Sequence, residues 1–539
     1  MNKIAFISVF HKEGIDKFAK DLVDLGWQIM SSSGTAKYFK DKGIECTDLA
    51  TLVGAPILGH RVVSLSREFY AMLLARPDNQ EDVAEMKKLN LPFVSLVCCD
   101  VYPLEEEISN PNATRESVIE KTDIGGPTML RAGAKGGRIV ICDKEDRGKV
   151  IEWLKAGEPD KEKFLNELHA KAEMVVAKYC LESARYHSGG TYDGFIGEKT
   201  MICKYGENAW QTPAFLFKTG SEDPLALAHS NFNRLAGEPL SYNNLADLDR
   251  LLQTITHIAA GFDLNTNNVP LIAIGVKHGN PCGASVGTDS TEVLKNMLSG
   301  DLRAIFGGLV MTNFPINESE AEILLTFQMP EGKRRLLDGI FAPEFSVLAV
   351  EKLKRKGDRC RFLANPVLAS LNRDSLDKAF RFRFVRGGFL EQPNYTFVPQ
   401  ISKDAVGIEV LRNVVLAWAI GSTSNSNTIT IVRDGRLLGN GVGQQDRVGA
   451  AKLAIARADD AHISSGGAGD KADLSGAVAY SDSFFPFTDG VKVLTDRGIK
   501  TIFATSGSVN DNLIIDFCKE VGVDLITLPD KDARGFAWH

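Results

Sequence analysis

Apolar and polar positions fall in blocks along the chain. KIAFISVF is apolar and predicts a strand. GIDKFAKDLVDLG, which follows, sets Ile15, Phe18, Ala19, Leu22 and Val23 at helical spacing, with Gly26 as a stop. WQIMSSSG predicts a second strand ending in Ser31, Ser32, Ser33, Gly34 and Thr35, and TAKYFKDKG its helix. LPFVSLVCCDVYP and RIVICD predict further strands around DIGGPTMLRAGAK, a glycine turn entering a short helix. Strand, crossover helix, strand predicts a parallel sheet covered on both faces. Such sheets bind ligands at the carboxyl ends of their strands. The Ser/Gly stretches 31–35 and 125–128 lie there, where backbone N–H groups at a helix start suit a phosphate, although serine and glycine equally make ordinary caps and turns. Residues 161–186 predict one long helix and HSGGTYDG a flexible break, which sets a domain boundary near 198.

Beyond 198, strand-like and helix-like runs are separated by polar stretches such as GENAWQ, LSYNNLADLD, VRGG, SNSN and GVGQQDR. The patterns of 200–385 and 400–539 resemble each other enough to allow two related α/β halves. One stretch stands apart. VPLIAI predicts a buried strand, and GVKHGNPCG follows at once, so Lys277, His278, Asn280 and Cys282 crowd the end of that strand between glycines and Pro281. The ordinary meaning is a polar turn; the alternative is a catalytic loop.

Length and charge narrow the field. At 539 residues the chain exceeds one ordinary domain, and roughly three or four domain-sized units are expected. A net charge of -7 argues against a nucleic-acid binder while allowing a basic pocket for a small anion. No apolar stretch approaches the ~18 residues of a membrane span, and MNKIAFISVF runs into HKEG as a first strand rather than a signal peptide. The 9 cysteines include no CxxC pair, so free thiols in a reducing cytoplasm are expected instead of disulfides or a zinc site.

The motifs SSSGTAKYF, VYPLEEEI and DIGGPTMLRA, then KYGENAWQ, LSYNNLADLD, VKHGNPCG, FGG, DGIFAPEF, VRGG, GVGQQDR, SDSFFPF and RGFAWH, resemble the bifunctional AICAR formyltransferase/IMP cyclohydrolase family of purine biosynthesis. They do so in order and over nearly the full length. The resemblance implies an α/β protein: a methylglyoxal-synthase-like parallel-sheet domain at 1–198, then two cytidine-deaminase-like subdomains at 199–385 and 386–539. It implies formyl transfer from 10-formyltetrahydrofolate, a cosubstrate, to AICAR, giving FAICAR. It also implies a homodimer with each formyltransferase site completed by both chains, no tightly bound cofactor and no metal.

In that chemistry a poorly nucleophilic aromatic amine loses a proton as it attacks, and the formyl oxygen gathers negative charge. The resemblance makes His278 the base, a role worth typically ~10²–10⁴-fold. It gives Lys277 the developing charge, or the task of biasing the histidine toward neutrality, and Asn427 the formyl oxygen or the carboxamide. Lys204, Tyr205 and Gly206 stand where the family uses Arg-Tyr-Gly for the nucleotide phosphate; lysine keeps the charge and loses the bidentate fork. Arg534 is the second cation. Asn244, Asp338, Gln445 and Arg447 match nucleotide- or pocket-lining positions. Phe306, beside Gly307, and Phe484 and Phe485 either flank a flat heterocycle or pack the core. Cys282 reads as a packed small residue.

The departures are uneven. Trp210 stands where the family commonly has histidine, Asn425 where it has lysine, and Thr488 where it has arginine. The N-terminal domain departs further: GHRVVSLSREFYAM replaces a stretch like GRVKTLHPKIHGG, with Val63 for the lysine, Ser66 and Tyr70 for two histidines, and Ala71 and Met72 for the glycine pair. Lys12, the loop of Ser32, Ser33, Gly34 and Thr35, Arg61, Tyr102 and Asp123 remain to hold a nucleotide, with Gly125, Gly126, Arg131 and Lys135. Three readings stay open: a formyltransferase with weak or absent cyclohydrolase activity; a bifunctional enzyme with ring closure rebuilt on Arg61, Arg67 or His60; and a non-catalytic nucleotide-binding member of the family. Lys277, His278, Asn427 and Arg447 speak against the third, Val63 against the second.

Overall fold

The computed structural model describes residues 3–59, 61–228 and 232–536, so His60 and the last three residues of RGFAWH lie outside the described residues. The chain forms two compact units, Met1–Ile196 and Gly197–His539.

In the first unit β1 (Ile4–Ser8), β2 (Gln28–Ser31), β3 (Thr47–Asp48), β4 (Leu96–Cys99) and β5 (Ile139–Ile141) form a parallel sheet in the order β3-β2-β1-β4-β5. Ile4 to Ile7 are all buried, as a strand covered on both faces requires. Helix α1 (Ile15–Asp24) buries Ile15, Phe18, Ala19 and Leu22. Val23, expected with them, is 44% exposed, because one further residue rotates it about 100° past Leu22, to the edge of the stripe. Helix α2 (Ser33–Asp41) follows β2, and α3 (Gly125–Lys135) opens on the predicted glycine turn. Helix α4 (Lys161–Ser188) runs two residues past the predicted end. The stretch after it is pinned rather than loose: the Arg185 guanidinium holds Asp193 and the Gly194 carbonyl.

The second unit is built on an 11-stranded sheet that repeats one pattern twice. The first half runs α5 (Tyr242–Thr266), β9 (Leu271–Lys277), β10 (Asn280–Gly287), α6 (Ser290–Leu298), β11 (Leu309–Thr312), α7 (Glu318–Thr326), β12 (Gly339–Ala342), α8 (Val347–Leu353) and β13 (Arg361–Ala364). The second runs α9 (Ile408–Ser422), β16 (Ile429–Arg433), β17 (Arg436–Gly441), α10 (Arg447–Ser464), β18 (Val478–Ser481), α11 (Thr488–Thr495), β19 (Thr501–Ser506), α12 (Asp511–Glu520) and β20 (Asp524–Pro529). The spatial orders, β10-β9-β11-β12-β13 and β17-β16-β18-β19-β20, are the same, and antiparallel pairing of β10 with β17 joins the halves into one sheet. β8 (Asn233–Ala236) closes the edge beside β13. Two hairpins stand outside it: β6–β7 (Glu198–Cys203, Ala214–Lys218) and β14–β15 (Phe380–Val385, Gly388–Pro393).

Alternation decides the layers. Ile272, Ile274 and Val276 of β9 join α5 and α9 in one core, while Ala273 faces α6 and α7 on the other side. Helices α5 and α9 approach closely at Gly261, where a Cβ would stand 2.7 Å from Val415 and 3.0 Å from Trp418. Among the described residues no helix is long and apolar enough to cross a membrane, and no group of three or more His, Cys, Asp or Glu side chains could hold a metal ion.

Candidate active site

The stretch GVKHGNPCG is two strands and a two-residue turn. Lys277, the last residue of β9, pairs with Asn280, the first of β10. His278 and Gly279 between them have φ of 51° and 74°, the left-handed pair that matches the twist of a tight hairpin. The turn therefore projects His278 from the sheet end beside Lys277. Gly283 lets β10 lie close under α6: a Cβ there would stand 2.2 Å from the Met297 carbonyl oxygen. Lys277 Nζ donates to the carbonyls of Gly307 (2.7 Å) and Phe306 (3.3 Å), so the KHG and FGG motifs meet. Desolvation pushes the Cys282 thiol up to about 12; it keeps its proton and serves as packing.

Helix α5 holds this hairpin to the second half of the unit. Arg250, buried on α5, lays its stem under Gly279 and donates to Asn425 Oδ1 (2.8 Å) and Asn280 Oδ1 (3.4 Å). Asn440 reaches from β17 to the Pro281 carbonyl at 3.2 Å. One α5 turn earlier, burial raises the Asp247 carboxyl, opposed by the Gly279 backbone and by the His278, Lys277 and Arg250 charges. At the start of α5, Tyr242 N donates to Tyr205 O (3.1 Å) and Asn243 Nδ2 to Glu207 O (2.9 Å). The Lys204–Gly206 loop and the Lys277–His278 hairpin thus rest on the same helix, about 10 Å apart along its axis.

The other wall comes from the second half. Asn427 is fixed to Gln444 through backbone bonds in both directions and through its Nδ2 (2.9 Å). Next to it, Thr428 N donates to Asp482 Oδ2 at 3.2 Å. Asp482 is fully buried and paired with Arg447, and its backbone oxygen accepts from Gly535 N at 3.2 Å. Burial raises its carboxyl, opposed by Arg447 and by bonds from Ser426 and Thr428. The Arg534 guanidinium lies 6.0 Å from the Phe484 ring centre. Asn427, Arg447, Phe484 and Arg534 are therefore gathered around Asp482, which the motif reading passed over although SDSFFPF contains it.

Other expected residues have local duties. Asn244 Oδ1 accepts the Ser241 N–H and caps α5. Asp338 pairs with Arg355 at 2.7 Å, and Lys204 with Glu238 at 2.7 Å. Gln445 is exposed. Of the aromatic residues, Phe485 is core, 2% exposed, whereas Phe306 is half exposed and Phe484 partly so. Trp210 is 78% exposed on its loop.

In the first unit Lys12 Nζ donates to Thr35 Oγ1 (3.0 Å) and to the Val9 carbonyl, and Ser32 Oγ lies 2.9 Å from Ser8 Oγ. Burial lowers the Lys12 ammonium, opposed by Asp100. Ser33 donates to Asp48 (3.0 Å). Phe10 links this group to Tyr102, 5.6 Å away ring to ring. Asp123 is spent as a cap: it accepts Gly126 N (2.8 Å) and Tyr102 N (3.3 Å), and a Cβ on Gly126 would stand 2.5 Å from it. The cations disperse. Arg61 pairs with Glu120, Arg67 with Glu68 and Arg131 with Glu173. Lys135 closes α3 at the end opposite Gly125, about 15 Å along the helix, so it does not join Lys12 and Asp123 within this unit.

Residues 137–457 match the family described as AICARFT/IMPCHase bienzyme, and 14–128 the MGS-like domain. Curated relatives named bifunctional purine biosynthesis protein PurH match almost end to end. That of Lysinibacillus sphaericus is 34% identical, covering 98% of this chain and 98% of its own. Those of Caldicellulosiruptor saccharolyticus and Neisseria meningitidis are each 31% identical, covering 98% and 99% of both chains respectively.

Proposed function

The chain belongs to the AICARFT/IMPCHase bienzyme family and is an AICAR formyltransferase of purine biosynthesis, and on that premise we propose how its second unit performs the transfer. The donor is 10-formyltetrahydrofolate. The AICAR amine nitrogen attacks the formyl carbon; the new C–N bond forms, the bond from that carbon to N10 of the folate breaks, the amine proton passes to His278, and N10 takes up a proton. The products are FAICAR and tetrahydrofolate. Lys277 and one Asn427 amide hydrogen stabilise the charge gathering on the formyl oxygen, and Lys204 and Arg534 neutralise the nucleotide phosphate. The observation that carries this reading is the Arg250–Asn425 junction, which supports a Lys277–His278 hairpin and an Asn427 loop working on one substrate.

The duplicated strand order supports cytidine-deaminase-like subdomains at 199–385 and 386–539. Exposed Ile202 on one hairpin and Phe384 and Leu390 on the other support a homodimer, and the free cysteines a cytoplasmic setting. The first unit, by contrast, lacks a cation at Val63 and spends Asp123 on a helix cap; it binds nucleotide and closes the ring poorly. Incubating the protein with AICAR and 10-formyltetrahydrofolate, and following FAICAR and IMP separately, tests both parts. FAICAR without IMP is expected. No FAICAR overturns the transfer reading; prompt IMP overturns the reading of the first unit.

A further inference from the structure

The Lys204 ammonium and the Arg361 guanidinium converge on one oxygen. Lys204 Nζ donates to Glu238 Oε2 at 2.7 Å, and Arg361 Nη2 lies 3.6 Å from the same atom. Among the described residues these are the only ion pairs that Lys204, Arg361 and Glu238 make. The backbone builds the convergence. Gly237, at φ 103°, lies so close to the start of β13 that a Cβ would stand 2.5 Å from the Cys360 carbonyl oxygen. Gly237 N and Glu238 N donate to Asp358 Oδ2 (3.1 Å) and Asp358 O (2.8 Å), and Lys204 N donates to Leu240 O at 3.2 Å. Arg361 is buried, and its Nη1 donates to the carbonyls of Arg359 (3.0 Å) and Asp338 (3.3 Å). The carboxylate between these cations is the part free to leave. Its side chain is 32% exposed and, among the described residues, accepts a hydrogen bond from Lys204 alone. Asp530 is the contrast. It pairs with Arg534, the other cation assigned to the phosphate, but it also accepts from Ser483 Oγ (3.0 Å) and Thr505 Oγ1 and is largely buried.

We infer that Glu238 is a displaceable stand-in for the substrate phosphate: it occupies an anion site made by Lys204 and Arg361 until the AICAR phosphate takes its place. The inference rests on Lys204 binding that phosphate, as proposed above, and it adds Arg361 as a second anchor. One carboxylate balances only one of the two positive charges. A phosphate monoester carries about -1.5 to -2 at pH 7 and has three acceptor oxygens to divide between ammonium and guanidinium. Arg361 thereby restores the planar donor that a lysine at 204 lacks. Glu238 stands three residues before Ser241, the cap of α5, and the first turn of α5 holds no acidic residue, so the helix end adds to the positive field. The bond from Lys204 lowers the Glu238 carboxyl, desolvation opposes it, and the Lys204, Arg361 and Arg359 charges add to the lowering. An incoming anion therefore competes with an ionised carboxylate, and a doubly charged phosphate competes better than a singly charged anion.

Glu238→Gln tests this in the full-length protein, because it keeps the shape and an acceptor for Lys204 while removing the competing charge. KM for AICAR is expected to fall about 3- to 10-fold, the scale of a partly exposed charge interaction, with kcat and the folate KM unchanged. Inorganic phosphate, added as an inhibitor competitive with AICAR, should gain affinity in the same proportion. Turnover of the AICAR riboside, which has no phosphate, should not change. Arg361→Met in the Glu238→Gln background should cancel the gain. An unchanged or raised KM for AICAR with unchanged phosphate inhibition in Glu238→Gln would overturn the inference, as would an equal gain with the riboside. A gain that survives Arg361→Met in a variant that still unfolds cooperatively would overturn the part given to Arg361. Lys204→Ala is assayed alongside. If its KM for AICAR is that of the wild type, the phosphate reading of Lys204 has failed; if that KM rises while Glu238→Gln behaves as wild type, only the role of Glu238 has.

Discussion

Arg250 Nη2 lies 2.8 Å from Asn425 Oδ1, tying a helix of the first half of the second unit to the loop that carries Asn427 in the second half. Because Arg250 also contacts Asn280 and underlies Gly279, one buried guanidinium sets the spacing between the two sides of the reaction. Arg250→Met keeps the stem and removes the donors. It is expected to cost about 1.5–3 kcal/mol, the worth of a charged hydrogen bond, and to slow formyl transfer through misplacement of the hairpin. Denaturant titration and steady-state kinetics measure both; an unchanged midpoint with unchanged turnover would contradict the linking role.

Lys277→Ala and His278→Ala should each reduce FAICAR formation at least ~10²-fold with little change in unfolding temperature. Lys277 makes its bonds to two carbonyls at the rim of the sheet, and His278 sits in a turn that other residues hold. Turnover near wild type in either purified variant would refute the assignment.

Much of this was legible in the chain, for physical reasons that also mark where legibility ends. The first unit reads well because parallel strands buried on both faces give unbroken apolar runs such as KIAFISVF, and amphipathic crossovers give clean periods. GVKHGNPCG was harder, since Gly, Pro and Cys hide the alternation that would have shown β9 continuing to Lys277 and β10 starting at Asn280. Arg250 sits just after LSYNNLADLD, a polar position on a largely buried helix. Nothing in local spacing says that it meets a hairpin some thirty residues on. The chain duplication was visible only as a vague likeness, whereas the matching strand orders make it explicit. Lys135, matched by motif, stands at the far end of an eleven-residue helix from the glycine turn, a separation that the motif alone does not show.

Trp210 stands where a histidine is common, and the sequence left open a packing role or a vacated catalytic position. Its exposure, 78%, removes the packing alternative within the chain. Trp210→His is therefore expected to leave the unfolding temperature within about 2 °C, as surface changes do, and to preserve or raise formyl transfer. A clearly lowered unfolding temperature would restore the packing reading.

His257 gives the second unit an acid limit. Its ring is buried, stacked on Tyr395 at 5.5 Å, with Nδ1 2.7 Å from the Gln253 carbonyl oxygen. Burial lowers it to about 4, whereas an unfolded histidine titrates near 6.5. The unfolded chain thus takes up a proton that the folded chain refuses. Stability is intact above about pH 6.5 and falls by roughly 1.4 kcal/mol per unit as the pH drops toward 4. His257→Gln should flatten this slope between pH 6.5 and 5, read as denaturant midpoints; a slope equal to wild type would assign the acid limit to other groups.

The ring-closing reaction needs the FAICAR carboxamide nitrogen to attack the formyl carbon with loss of water, and so needs a cation at the formyl oxygen and groups that shuttle protons. Around Lys12 and Thr35 the first unit keeps a polar cradle. Val63 can supply no charge, the Asp123 carboxylate is engaged by two backbone N–H groups, Arg61 is paired with Glu120, and Lys135 lies about 15 Å along α3 from the glycine turn. Removing one preorganised donor typically costs ~10²–10³ in rate, and here several are missing together. FAICAR given to the full-length protein should close to IMP barely faster than in buffer, while AMP-like phosphates still protect the first unit weakly against proteolysis. Val63→Lys alone should recover little, because such groups act as a unit; Val63→Lys with Ser66→His is the smallest fair rescue. Rapid IMP formation by the unmodified protein, lost on Lys12→Ala, would mean instead that the site has been rebuilt around the cradle.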